Sequence, residues 1–262
     1  MSGFFEVVPG DAASPVVLHV PHSSRRVPTQ ERARIVLDDA ELDAELTAIT
    51  DARTDEIALR AADAAHLRPW VFVNRLSRLV VDPERFPDER EEMNAVGMGA
   101  VYERTTQLKV LRQPTGAERA ALIATYFDPY AVALAELVSQ RLAAAGRVTV
   151  LDVHSYPRVA LPYERHGKGP RPRVCLGTDE FHTPDNLVTS ARDAFALAAP
   201  VHEIGLDSPF SGCYIPLGQY GVNPDVNGLM LEIRRDVVAA GLDSLVAATC
   251  RLIDDLGRTT PS

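Results

Sequence analysis

The chain has 262 residues, 46% of them hydrophobic and 24% charged, a make-up that excludes a disordered or fibrous chain and is ample for a buried core. Its net charge of -9 excludes the broad basic footprint of a nucleic-acid binder, yet permits a local arginine cluster that reads a small anion. Cys175, Cys213 and Cys250 are odd in number and lack CxxC spacing, the opening MSGFFEVVPGDAASP has no leader pattern, and no stretch approaches roughly 20 apolar residues, so the expectation is a cytoplasmic protein with neither disulfides nor a membrane partner.

VVLHV at 16–20, closed by Pro21, reads as a buried strand. Residues 29–65 are helix-like with a break near Asp38 and Asp39, and the spacing sets Asp51 and Asp55 on one helical face. RPWVFV at 68–73 is a second strand, closed by Asn74 and Arg75. Residues 82–116 carry charge, Pro and Gly with little periodicity, which predicts a long functional or mobile loop. A helix is expected from Gly116 to Ala145 with Gly146 as its stop. Strands follow at RVTVLDVH and at 171–178, separated by a basic, proline-broken loop. Its segment 163–173 is either a closing lid or a solvated excursion, the second being commoner. A helix over 184–199, a short strand VHEIG, a loop over 207–227, a strand GLMLEIRRD and a helix over 236–257 complete the chain. With no repeat or linker to divide it, residues 1–262 read as one catalytic domain. The alternation of strands and helices predicts a mixed, mostly parallel sheet covered on both sides.

Several apolar runs turn polar at their carboxyl ends, the rim where open α/β sheets bind ligands. They deliver His19 and His22, Arg75 and Arg78, His154, and Glu232. Taken alone, His154 would more often be a satisfied strand-end histidine than a ligand. Asp152 two residues before it, and a second histidine in a similar setting, favour a metal ligand with an orienting carboxylate. His22, in the turn after Pro21, is preferred to His19, which sits inside its strand as a support residue. No HExxH motif supplies the acid, since Arg25 stands three residues after His22. Either Asp51 or Asp55 is the substitute. Glu232 lies among Leu and Ile, where an unpaired carboxylate costs several kcal/mol; it needs a partner such as Arg234 or Arg75, or work as a general base. Arg75 and Arg78 are candidates for a substrate carboxylate or a polarised carbonyl, against the alternative of salt bridges to the acidic stretch 88–92.

In order, VPHSS, TDARTD, NRLSRLVVDPERFPDE, GAVYERT, LDVHSY, SPFSGCY and LMLEIRRD resemble the N-formylglutamate amidohydrolase family and, more widely, zinc carboxypeptidase-like enzymes. The resemblance implies a phosphorylase/hydrolase-like three-layer α/β/α fold, one Zn2+ (or another divalent metal), and hydrolysis of an N-formyl or N-acyl amino acid to the acid and the free amino acid. Carried over, it makes His22, Asp55 (with Asp51 as the alternative) and His154 the metal residues and Glu232 the general base for a metal-activated water. It makes Arg75 and Arg78 the substrate-carboxylate and oxyanion groups, with Asn74, Ser155 and Tyr214 beside the substrate. The chain departs from the family pattern where PFxGG followed by Thr-Arg is usual. It reads Pro209-Phe210-Ser211-Gly212-Cys213-Tyr214-Ile215-Pro216, without that loop's arginine. A second departure is the glycine-bearing MNAVGMGAVYERTT at 93–106. Rival readings are a carboxypeptidase or deacylase for a peptide or longer acyl group, with Tyr214 and Tyr220 lining the pocket, and a non-catalytic anion-binding relative.

Overall fold

A computed structural model describes residues 3–165 and 169–258. The first strand, Phe5–Val8 (β1), is only partly buried and has no apolar run to announce it. Val16–Val20 (β2) is wholly buried, as its unbroken apolar run requires. The helix-like stretch that follows divides into Thr29–Arg32 (α1), Asp39–Ile49 (α2) and Thr54–Ala64 (α3). Asp38 caps α2 through a reciprocal capping box with Glu41, which is the break expected there. The second break, at 50–53, passes through Thr50 in extended conformation and Arg53 at φ 62°.

Trp70–Asn74 (β3) pairs with β1 and β2. The long segment after it holds a 3-10 turn at Glu92–Val96 and an isolated bridge between Arg104 and Val110. It is irregular but packed, because Met93, Met98, Tyr102 and Leu111 join Ile35, Leu42 and Ile49 in a satellite core. Gly116–Leu122 (α4) starts at a Thr115/Glu118 capping box and runs through a π turn at Ile123–Phe127 into Asp128–Ala145 (α5). Pro129 in the first turn of α5 has no N–H to donate, and the wider turn before it absorbs that loss. Gly146 at φ 74° ends the helix, as expected. Contrary to expectation, the run Gly116–Ala145 is long and apolar enough to span a membrane by length and composition. Tyr130, Leu134, Leu137 and Val138 of that run are packed on the sheet.

Val148–Tyr156 (β4), Val174–Gly177 (β5), Asp185–Phe195 (α6), Ile204–Leu206 (β6), Val226–Arg234 (β7), Arg235–Ala240 (α7) and Leu242–Arg258 (α8) follow. The sheet order is β1-β3-β2-β4-β7-β5-β6. Strands β3, β2, β4 and β7 are parallel, while β1 and the β5/β6 pair run against them. Alternation divides each strand between two cores. Val16, Leu18, Val71, Leu151, Val153, Leu229 and Leu231 face α3, α6 and α8, whereas Val17, Phe72, Val148, Val150 and Val226 face α5. Helices on both faces of a mixed sheet make this a three-layer α/β/α fold. On the second face α5 meets the amino-terminal half of the strands, so the carboxyl half, with Asp152, His154 and Glu232, borders a cavity instead.

Candidate active site

The cavity at the strand ends has a volume of about 590 Å³ and is lined by His22, Asp51, Arg78, Glu84, His154 and Glu232 among others. His154 and Glu232 are register partners on the parallel pair β4/β7, so both side chains leave the same sheet face side by side. His22 stands just past β2, in a turn held by Asn74, whose Nδ2 donates to Pro21 O at 2.9 Å. Asp51 is carried to the same place by the break between α2 and α3, where its backbone N–H donates to His22 O at 3.0 Å. Thr54 Oγ1 donates to Asp51 O and steadies the turn.

Three donor atoms converge there. His22 Nδ1 and His154 Nδ1 are 3.3 Å apart, and Asp51 Oδ2 lies 2.9 Å from the latter and 3.7 Å from the former. Two imidazole nitrogens at that distance satisfy each other only if one carries a proton, and the carboxylate competes for the same proton. A tetrahedral ion with N and O ligands at about 2.0–2.1 Å holds its ligand atoms about 3.3 Å from one another, so the triangle has the size and chemistry to hold a divalent cation. The opposite ring nitrogens are backed by acid. His22 Nε2 is 2.9 Å from Asp82 Oδ1, and His154 Nε2 is 3.2 Å from Asp152 Oδ2 and 3.3 Å from Glu84 Oε2. The contacts of His154 Nε2 are not aligned as hydrogen bonds. Behind them runs a buried relay in which His19 Nδ1 meets Asp152 Oδ1 at 2.8 Å and His19 Nε2 meets Tyr130 Oη at 2.5 Å. Two further donor groups, His19 with Glu84 and Asp152, and His22 with Asp82 and Glu84, are also compact. Each already spends donors on an internal hydrogen bond.

Buried carboxylates outnumber fixed cations around these rings, and the proton affinities follow. Burial and Arg78 push the His22 pKa down, but Asp82, Glu84 and Asp51 outweigh them and raise it. Burial likewise opposes protonation of His154, yet Glu84, Asp152 and Asp51 hold its pKa well above the usual value. Asp82 moves the other way, since Arg78 and His22 overcome burial and keep it ionised. Asp51 is also held low, because hydrogen bonds to His154 and His22 overcome its burial. Glu232 is drawn toward its ionised form by His154, Arg78 and His22, but burial and Asp51 outweigh them. Burial is the main cause that lifts its pKa to about 8, and Oε2 has no hydrogen-bond partner.

Several sequence expectations meet here and others do not. His22, His154, Asp51, Glu232, Arg78, Ser155 and Tyr214 all border the cavity. Ser155, on the opposite sheet face from His154, has its hydroxyl 3.5 Å from Ala52 O, and Tyr214 donates its backbone N–H to Asp152 Oδ2 at 3.3 Å. Asp55 does not join the histidines. The break at Arg53 removes Asp51 from the helical register assumed for the pair, and Asp55 instead lies 3.6 Å from Arg75. Arg75 does not line the cavity either, and donates to Glu6 on the edge strand at 2.6 Å. Asn74 spends its amide on the backbone of Pro21 and Leu76. The partners suggested for Glu232 are elsewhere, Arg234 being bound to Asp236 and to Arg171 O. Arg78 reaches no acid of the 88–92 stretch and grips Asp82 Oδ2 through Nε at 3.1 Å and Nη2 at 2.5 Å. Asp82, Glu84 and Arg85 were missed because they open a segment without periodicity, although all three stand in the quoted VVDPERFPDE. Of the basic segment 163–173, residues 166–168 lie outside the described residues.

Buried His, Asp and Glu gathered in a cavity at the carboxyl ends of an α/β/α sheet stand where such sheets bind ligands, and the family match makes the chain a hydrolase. The chain belongs to the N-formylglutamate amidohydrolase family, whose profile matches residues 14–239. Among solved structures, it is similar to the N-formylglutamate amidohydrolase from Ralstonia eutropha JMP134, with a TM-score of 0.76, 22% identity and 97% of both chains covered. It is also similar to the Atu2144 gene product of Agrobacterium tumefaciens, with a TM-score of 0.68, 21% identity and 97% and 94% of the two chains covered. At these identities the likeness is one of fold. No curated protein matches the sequence.

Proposed function

We propose that the protein is a divalent-metal-dependent amidohydrolase that cleaves an N-acyl amino acid to the acid and the free amino acid, with Zn2+ as the ion its donor set suits best. The observation that carries this reading is the convergence of His22 Nδ1, His154 Nδ1 and Asp51 Oδ2 on one point, with Glu232 on the strand beside His154. Those three side chains would hold the ion, which when bound polarises a carbonyl and makes water acidic near neutral pH. Asp82 keeps the His22 ring oriented through Nε2, and Asp152, braced by His19 and Tyr130, stands behind His154. Glu232 takes a proton from the attacking water as its oxygen bonds to the amide carbon. The C–N bond then breaks, and Glu232 passes that proton to the departing nitrogen, so the carboxylate is regenerated. A group with this role needs a proton affinity near neutrality; burial moves that of Glu232 up from its ordinary value, and the charge of a bound ion would bring it back toward the ionised form that accepts a proton. Arg78 locks Asp82 in its ionised form rather than meeting substrate.

The test is metal content together with amide hydrolysis. Wild-type protein is expected to retain about one divalent ion per chain and to release amine from N-acyl amino acids. Glu232→Gln is expected to keep the ion and lose hydrolysis by about a hundredfold to ten-thousandfold. Full activity in that variant with metal retained removes the base from the scheme, and wild-type protein without stoichiometric metal favours a non-catalytic anion binder.

A further inference from the structure

The cations that line the cavity are not equally free. Arg78 is sealed against Asp82, as described above. Arg235 has an unpartnered buried Nε, but its Nη1 donates to the backbone oxygens of Thr47 and Ala48 at the carboxyl end of α2, at 3.3 and 2.8 Å, and its Nη2 lies 3.7 Å from Asp51 Oδ1. Arg165 donates to Glu92 at 3.2 Å. Arg85 differs. Its guanidinium makes no hydrogen bond to a described residue, its nearest acids being Asp82 Oδ2 at 3.6 Å and Glu91 Oε1 at 3.8 Å, and its buried Nε is unpartnered. Asp82 Oδ2 is already saturated by Arg78 and by Tyr102 Oη at 2.5 Å, so Arg85 keeps its donors for something in the cavity. A guanidinium with a free fork is built for one carboxylate.

Another part of the lining has the reverse character. Ala131, Val132 and Ala135 of α5 and Phe127 just before it follow helical spacing, and Ile215 and Leu217 of the loop before β7 line the same cavity. Among the described lining residues no Lys or Arg lies on α5 or in 209–220. Val132 is 57% exposed and Leu217 46% exposed, so apolar surface stands open to solvent in direct continuity with the polar centre. Apolar walls with a few placed polar groups are the usual make-up of a small-molecule site.

From this we infer that the substrate is a monocarboxylate with a sizeable apolar arm: Arg85 holds the carboxylate, and the stripe on α5 with Ile215 and Leu217 takes the arm. The inference rests on the amidohydrolase reading and narrows it. A dicarboxylate such as N-formylglutamate would set its second carboxylate against a wall with no cation. The arm belongs either to the amino acid or to the acyl group, and the two are separable by experiment.

The experiment compares kcat/KM of the metal-loaded protein for N-formylphenylalanine, N-octanoylglycine, N-formylglutamate and N-formylphenylalanine amide. At least one of the two apolar acids is expected to exceed N-formylglutamate by tenfold or more, and which one leads identifies the side of the arm. The amide, lacking the carboxylate, is expected to fall at least tenfold below its acid, and Arg85→Met to erase that difference. Val132→Arg is expected to shift preference toward N-formylglutamate. Equal or better turnover of N-formylglutamate by wild type overturns the inference while leaving the amidohydrolase reading intact. If none of the compounds is hydrolysed, the amidohydrolase reading fails, and calorimetric binding of the same compounds to Glu232→Gln decides the inference alone. Tighter binding of an apolar acid than of N-formylglutamate upholds it, and no such preference overturns it.

Discussion

The two faces of the central sheet have opposite fates. On one, Leu151, Val153, Leu229, Leu231 and Ile233 are sealed by α3, α6 and α8, an apolar run along the middle of β4 and the carboxyl half of β7. On the other, Val148, Val150 and Val226 are covered by α5, and then the same strands change to Asp152, His154 and Glu232 where the helix gives way to a cavity. Burial of apolar area stabilises the first face throughout. On the second, most polar groups out of water are tolerated because they hold one another, while Glu232 Oε2, Glu84 Oε1, His154 Nε2 and the Nε atoms of Arg85 and Arg235 are buried without a hydrogen-bond partner. An active site arises where helical cover stops short of the strand ends.

Breaking the polar face should have the largest consequences. Asp51→Ala is expected to abolish stoichiometric metal binding and to lower hydrolysis by about a thousandfold or more, while Asp55→Ala retains both. Metal analysis and initial rates on the two variants check this, and loss of metal in the second alone would restore Asp55. Arg78→Met should destabilise the fold by about 3–5 kcal/mol, since it leaves Asp82 buried beside His22 without its guanidinium; urea denaturation measures it. On the sealed face, Leu231→Ala should cost about 2–5 kcal/mol.

One position away, Glu232→Gln should act in the opposite sense in chelator-treated protein. A carboxyl whose folded pKa is about 8, above its ordinary 4.5, is bound to more proton in the folded state than in the unfolded state across that window. Stability therefore falls as pH rises from about 4.5 to about 8, and glutamine removes the loss. The variant should melt higher than wild type at pH 9, by about 2–4 kcal/mol, with the gap closing toward pH 4. An unchanged gap between pH 4 and pH 9 would mean that Glu232 is not paying a burial cost. The smallest effect belongs to Arg75→Met, whose half-exposed pairs with Glu6 and Asp55 are worth about 1 kcal/mol or less.

Much of this division is legible in the chain. An apolar run that ends in His, Arg or Glu marks both the strand and its functional end, which is how His22, His154 and Glu232 stand out. Asp51 was paired with Asp55 by helical periodicity because a left-handed Arg53 leaves no signature in composition. Arg75 and Arg78, three residues apart, gave identical signals, and only the pairing of β1 with β3 turns the first toward Glu6. Asp82, Glu84 and Arg85 lie where neither period applies, so their meeting with His22 could not be deduced from spacing.

Sequence alone determined most of the strand and helix order, β1 and the break before α3 excepted, and the polar strand ends, because alternation and helical spacing are local properties of the chain. Tertiary structure decided which acid reaches the histidines, which arginine is free and where the helical cover ends. Those are contacts between residues far apart in the chain, 133 positions between His19 and Asp152 and 188 between Arg235 and Thr47, and their geometry depends on how separate elements pack rather than on any one segment.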